Sequence, residues 1–185
     1  YGNNQFIIVG EDGTILTSPD SATWTEQSSG IEKFNLESVT YVNNQFITVG
    51  EDGTILTSPD GVTWTARSSG IEKIGLESVT YGNNQFITVG EDGTILTSQD
   101  GIKWTARSPL TEISLHSATY GNNQFIIVGE DGTILTSPDG TTWIERTSGT
   151  KKNLNSVTYG NNQFIAVGNY GTILTSPDGA TWTER

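Results

Sequence analysis

Tyr1-Gly2-Asn3-Asn4-Gln5-Phe6-Ile7-Ile8-Val9-Gly10-Glu11-Asp12-Gly13-Thr14-Ile15-Leu16-Thr17-Ser18-Pro19-Asp20 opens the chain and returns, with few changes, from Tyr41, Tyr81, Tyr120 and Tyr159. A period of about 40 residues filled with short β-type segments and turn residues marks a tandem array, and at this length a propeller blade fits best. Repeats this short cannot each bury a core, so the five units (1–40, 41–80, 81–119, 120–158 and 159–185) are read as one domain, 1–185, sharing its core by stacking.

Within one unit the residues define four strands. Leu76 to Tyr81, with its counterparts at 36–41, 115–120 and 154–159, alternates and is rich in β-branched side chains; it is strand A. Gly82 to Asn84 supplies residues that tolerate positive φ and forms the A-to-B turn. Strand B is Gln45 to Gly50, and Asp52-Gly53 favours a two-residue type I′ turn into strand C, about Thr54 to Ser58. Strand D carries Thr63 to Arg67. Ile47 and Val49 point to one side of B and Phe46 to the other, the pattern of a strand packed between two sheets.

No segment carries helical apolar spacing, so the expected fold is an all-β, five-bladed β-propeller of four-stranded antiparallel blades. Tyr1 stands where an A strand would be ending, so the first blade is expected to lack its inner strand. Closure at five blades is the simplest arrangement, with a six- to eight-bladed ring containing further repeats as the alternative. Residues outside this sequence supply that strand, or the first blade is three-stranded, or another copy donates a strand by exchange in a larger assembly.

The C-to-D connection carries the most specific local motif. Ser-Pro-Asp-Gly-x-Thr-Trp stands at 58–64, 137–143 and 176–182; the copy at 18–24 has Ser21 for Gly, and that at 98–104 has Gln99 for Pro and Lys103 for Thr. The motif resembles the Asp-box of bacterial neuraminidase repeats and of photosystem II assembly factor-like propellers, one residue shorter than that family's usual spacing between Asp and Thr. The resemblance covers all five repeats. It implies that Asp20, Asp60, Asp100, Asp139 and Asp178 clamp their turns, that Trp24, Trp64, Trp104, Trp143 and Trp182 cover the hairpins, and that the motif lies away from catalysis. A sugar- or cation-binding role for these aspartates is the alternative.

Composition excludes several function classes. Nine Lys and Arg against 21 Asp and Glu give a net charge of −12, a field that repels nucleic acid and anionic headgroups. No apolar run is long enough for a membrane-spanning helix, and no leader precedes Tyr1, so no membrane insertion is expected. Absent cysteine removes disulfides and thiolate chemistry and leaves the compartment open, with an extracellular or cell-surface placement preferred. Absent methionine suggests a processed product or part of a longer chain.

Candidate sites gather on one rim, where B-to-C turns and D-to-A loops meet. There stand Glu11-Asp12, Glu51-Asp52, Glu91-Asp92 and Glu130-Asp131, broken in the fifth unit by Asn169-Tyr170. Turn chemistry and solubility explain these acids, which lack the dense oxygen-ligand run of a calcium loop; a basic partner is the functional alternative. The repeats disagree most in the segments holding Phe34, Ile74, Pro109 to Ser114 and Thr150 to Asn153, and variable loops on a uniform frame are how binding surfaces are built. Glu37, Glu77, His116 and Asn155 occupy equivalent places near the axis and form the best small-ligand or metal candidate, although a lone histidine is commonly a tolerated surface residue.

Arg67, Arg107, Arg146 and Arg185 share one repeat position on outer strand D and cannot converge as a sialidase requires. No Ser-His-Asp set or phosphate loop occurs. The expectation is a non-catalytic binding or scaffold module without cofactor or metal, its partner a protein or a glycan. Multivalent lectin-like sugar binding is one alternative; a structural section of a longer repetitive surface protein, or a designed symmetric scaffold, is another.

Overall fold

A computed structural model describes residues 1–108 and 110–185. Nineteen strands follow in chain order. Blade 1 holds β1 (Phe6–Val9), β2 (Ile15–Ser18) and β3 (Thr25–Gln27); blade 2 holds β4 (Leu36–Val42), β5 (Gln45–Gly50), β6 (Ile55–Ser58) and β7 (Thr65–Arg67). Blade 3 is β8 (Leu76–Gly82), β9 (Gln85–Gly90), β10 (Ile95–Ser98) and β11 (Thr105–Ala106). Blade 4 is β12 (Leu115–Gly121), β13 (Gln124–Gly129), β14 (Ile134–Ser137) and β15 (Ile144–Arg146), and blade 5 is β16 (Leu154–Gly160), β17 (Gln163–Gly168), β18 (Ile173–Ser176) and β19 (Thr183–Glu184). Each blade is an antiparallel meander, three-stranded in the first and four-stranded in the rest, giving a five-bladed all-β propeller. Pro109, within one expected variable loop, lies outside the described residues.

The inner strands end one residue later than expected, and the outer strands start at Thr65 rather than Thr63. Thr63 is held back because its N–H donates to the Asp60 carboxylate at 2.8 Å, which keeps it in the turn. In blade 1 the inner strand is reduced to Gly2, whose N–H and carbonyl each bond Gln5 at 3.0 Å.

Two turn chemistries set the blade. Asp52 (φ 54°) and Gly53 (φ 69°) both lie in the left-handed region, and Thr54 N–H closes on the Glu51 carbonyl at 3.0 Å, the arrangement of a type I′ turn. At the other end Asn83 (φ 45°) and Asn84 (φ 58°) form the A-to-B turn by themselves. Gly82 is a correction to the sequence reading: it sits in β8 with ordinary φ. A Cβ there would fall 2.1 Å from the Tyr120 ring of the next blade, so the glycine makes room rather than a turn.

The core is four interblade layers. Ile47, Val49 and Ile55 of blade 2 pack on Leu76, Val79, Phe86 and Leu96 of blade 3, while Phe46 faces back toward Ile7 and Ile15 of blade 1. The two-sided burial of strand B thus follows the expected split. The same layer recurs between blades 3 and 4 and between 4 and 5. Every junction is also latched by the first residue of strand B: Gln5, Gln45, Gln85 and Gln124 donate Nε2–H to the carbonyls of Asp60, Asp100, Asp139 and Asp178 at 2.6–2.8 Å.

Blade 5 does not meet blade 1, so closure at five blades is not what the chain adopts. No hydrogen bond among the described residues joins the two, and Gln163, the fifth latch residue, has no such partner. Val167 (41% exposed) and Ile173 (42%), whose counterparts are buried in blades 2 to 4, face outward, and so does Ile8 (47%) at the other end. The five blades form an arc with two free faces.

Candidate functional site

On strand A the alternation of side chains breaks once per blade. In each complete blade the pairing slips by one residue, between Leu36 and Ser38, Leu76 and Ser78, Leu115 and Ser117, and Leu154 and Ser156. The residue bulged out is Glu37, Glu77, His116 or Asn155. A bulge re-aims one side chain away from the pleat, so the four candidates are presented by the same backbone device on four neighbouring inner strands.

Their environments differ. Glu37 and Asn155 are exposed, whereas Glu77 and His116 are half-buried. Burial pushes the Glu77 carboxyl above the usual carboxylate range, Glu37, Glu91 and Glu51 push it the same way, and His116 opposes them. Glu37 and His116 stand at the equivalent bulges of β4 and β12, the inner strands packed on either side of β8. The His116 Nε2 atom is covered and has no hydrogen-bond partner among the described residues. Asn155 donates Nδ2–H to Asn169 Oδ1 at 2.9 Å.

The acidic turns around this mouth hold the loops in place. Glu51 accepts from Asn35 N–H and Nδ2–H, each at 3.1 Å, and Glu91 accepts from Gly75 N–H at 2.8 Å. Asp52 accepts from Lys73 N–H at 2.8 Å, reaching the loop that leads to the next blade. Part of the acidic rim is thus turn and loop chemistry. Phe34 is drawn into this group: with Glu51, Asp52, Lys73, Gly75 and Glu91 it lines a shallow cavity of about 290 Å³. Ile74 does not line it; its carbonyl accepts from Gly53 N–H at 2.7 Å and anchors the loop.

The opposite rim carries the Ser-x-Asp turns. Asp60 Oδ1 accepts from Val62 and Thr63 N–H at 2.9 and 2.8 Å and from Ser58 Oγ–H at 3.0 Å, while Gly61 (φ 78°) donates N–H to Ser58 Oγ. Asp20, Asp100, Asp139 and Asp178 repeat the arrangement. Backbone N–H donation holds all five carboxyls below the usual carboxylate range. Trp24, Trp64, Trp104 and Trp182 return Nε1–H to the carbonyl of residue 21, 61, 101 or 179; the Trp143 indole, 7% exposed, lacks that bond. In each of these carboxylates Oδ1 is held by its own turn.

The arginines also stay apart: Arg67, Arg107, Arg146 and Arg185 each donate Nε–H to a threonine of their own blade at 2.8–2.9 Å. Two features escaped sequence reasoning. One is the glutamine latch, which links residues 54 or 55 apart and leaves no local pattern. The other is a cleft of about 610 Å³ beside the blade 4 turn, lined by Ile113, Asp131, Glu145, Arg146 and Lys151 among others. Among the described residues no group of three or more His, Asp or Glu is placed to hold a metal ion, and no helix is long and apolar enough to cross a membrane.

The family model of the DUF6242 beta propeller domain matches residues 3–106. No curated protein matches the chain. Solved structures of similar fold include YCF48 bound to D1 peptide, at TM-score 0.74 and 20% identity over 98% of this chain and 63% of that one. YCF48 from Cyanidioschyzon merolae gives 0.71 and 17%, over 98% and 68%. Virginiamycin B lyase from Staphylococcus aureus gives 0.80 and 13%, over 97% and 68%. At these identities the likeness is one of fold, and the chain spans less than two thirds of the first of these structures.

Proposed function

The chain belongs to the DUF6242 beta propeller domain family, and from the geometry of its inner strands we propose that it is a non-catalytic binding module whose bulged mouth takes a cationic segment of a protein partner. The observation that carries this reading is Glu77. A half-buried carboxyl whose charged form is disfavoured by burial and by the charges of Glu37, Glu91 and Glu51 is costly when ionised, and a lysine or arginine side chain brought to it relieves that cost. The neighbouring Phe34 cavity offers apolar area for the stem of such a side chain. A propeller of similar fold is known with a bound peptide, which supports a protein partner.

The Ser-x-Asp turns are read as Asp-boxes with a structural role, because each carboxylate already accepts from two backbone N–H groups of its own turn. Separation of the arginines on four outer strands favours binding over glycosidic chemistry.

Calorimetric titration with a short oligolysine peptide tests the proposal. Binding is expected to weaken as salt shortens the Debye length from about 10 Å at 0.1 M to about 3 Å at 1 M. Glu37→Gln with Glu77→Gln should remove it and Arg67→Ala should not. Binding unchanged in the double variant, or insensitive to salt, would refute the assignment of this mouth.

A further inference from the structure

The Ser-x-Asp turns are close copies, so a departure in one can be read against the other four. The blade 3 turn departs twice. Gln99 stands where the others have proline (Pro19, Pro59, Pro138 and Pro177), and Lys103 where they have threonine (Thr23, Thr63, Thr142 and Thr181). Both departures fall on the same cavity, of about 330 Å³, which Gln99 and Lys103 line with Thr97, Asp100, Thr105 and Arg107. Thr97 and Thr105 are paired across β10 and β11, and Arg107 continues that pairing by donating its N–H to the Ile95 carbonyl at 2.9 Å. The Arg107 side chain donates Nε–H to Thr97 Oγ1 at 2.8 Å, which fixes the guanidinium on this wall and leaves its Nη–H donors without a partner among the described residues. Lys103 is exposed, and neither cation forms an ion pair among the described residues.

We propose that this cavity binds a small hydroxylated carboxylate, its carboxylate held by the Lys103 ammonium and the Arg107 guanidinium. Charge decides the sign of the ligand. Two cations stand against one carboxylate, Asp100, whose Oδ1 is occupied by Ile102 and Lys103 N–H at 2.8 and 2.9 Å. In blade 2 the residue at the lysine's place, Thr63, donates Oγ1–H to Asp60 Oδ2 at 3.4 Å; blade 3 exchanges that hydroxyl for a positive charge. The larger cleft beside blade 4 also holds two cations, Arg146 and Lys151, but sets Asp131 and Glu145 against them. A guanidinium matches a carboxylate through paired N–H bonds, and Asp100 opposes the further negative charge that a phosphate would bring. The surrounding amides and hydroxyls of Gln85, Gln99, Ser98 and Thr105 suit a ligand that carries hydroxyl groups, and the volume is at the small end of ligand pockets. The chain's net charge of −12 repels anions at a distance, so capture depends on these two cations. This site lies on the rim opposite the mouth and is independent of the cationic ligand proposed there.

Calorimetric titration with gluconate tests this, with sorbitol as its uncharged counterpart and inorganic phosphate as the alternative anion. Gluconate is expected to bind at a single site, more tightly than either. Two variants borrow residues from sibling blades and should therefore fold normally by circular dichroism. Lys103→Thr installs the residue of the other four turns, and Arg107→Gln copies blade 1, where Gln27 donates Nε2–H to Thr17 Oγ1 at 3.0 Å. Each should weaken gluconate about tenfold or more, whereas Glu37→Gln with Glu77→Gln should leave it unchanged. The converse experiment is a gain. Pro59→Gln with Thr63→Lys rebuilds the site in blade 2, which already holds Thr57, Thr65 and Arg67, and should raise the stoichiometry from a single site per chain to a pair. Absence of gluconate binding overturns the proposal, as does sorbitol or phosphate binding as tightly as gluconate. So does an affinity unmoved by Lys103→Thr, one lost with the mouth variant, or a stoichiometry that the blade 2 variant does not raise.

Discussion

At the scale of single residues, the repeats serve as internal controls for one another. Thr48 and Thr88 lie fully buried with no partner for Oγ1 among the described residues, while the same place holds Ile8, Ile127 and Ala166 in the other units. A buried hydroxyl without a hydrogen bond loses its hydration for nothing, so Thr48→Val should raise unfolding stability by about 1 kcal/mol in denaturant titration. Tyr170 is the converse case. Four repeats place Asp at the first left-handed turn position, at φ 51–54°, and the fifth places Tyr there at φ 57°, 90% exposed. Without local side-chain hydrogen bonding to offset the Cβ clash, Tyr170→Asn should gain about 1 kcal/mol by the same assay. A loss of stability in either variant would show that the side chain makes a contact absent from this fold.

At the scale of elements, the blade was largely legible because its signals are local. Asp-Gly and Asn-Asn mark tight turns through left-handed φ, and the alternation around Phe46 marks a strand covered on both sides. The bulge was not legible, since a one-residue slip depends on how Leu36 and Ser38 pair across to Gly50 and Val49. Nor was the role of Gly82, which answers to a tyrosine in the next blade. The turn on the opposite rim predicts its own acid response. Its five carboxyls have folded pKa values below the unfolded value near 4, so the stability they contribute is present above about pH 4 and is lost as pH falls through the folded values. Acid unfolding monitored by tryptophan fluorescence should therefore begin below about pH 4, and Asp100→Asn should flatten that limb. Glu77 works in the other direction. Its raised folded pKa favours the protonated form, so its contribution falls as pH rises from the unfolded value through the folded one, and Glu77→Gln should stabilise the chain at neutral pH.

At the scale of the whole molecule, the period announced an array, but the angle between successive blades is set by side-chain volumes in four packed layers and has no signature in any one repeat. That is why closure could not be read from sequence while the blades could. The incomplete first blade offers a direct check on the layer model. Adding Leu-Glu-Ser-Val-Thr before Tyr1 should extend the pairing already begun at Gly2 and Gln5 and raise the thermal midpoint, because β1 then has a strand on both edges. An unchanged midpoint would mean that the added residues do not pair. The central claim concerns the mouth, where four bulges place Glu37, Glu77, His116 and Asn155 at the same position of four successive inner strands. It is tested most directly by mapping amide chemical-shift changes in the isotope-labelled chain as an oligolysine peptide is titrated in. The account predicts changes centred on residues 34–37, 74–77, 115–117 and 154–156; changes centred on the turns at 58–64, 98–104 and 137–143, or none at saturating peptide, would contradict it.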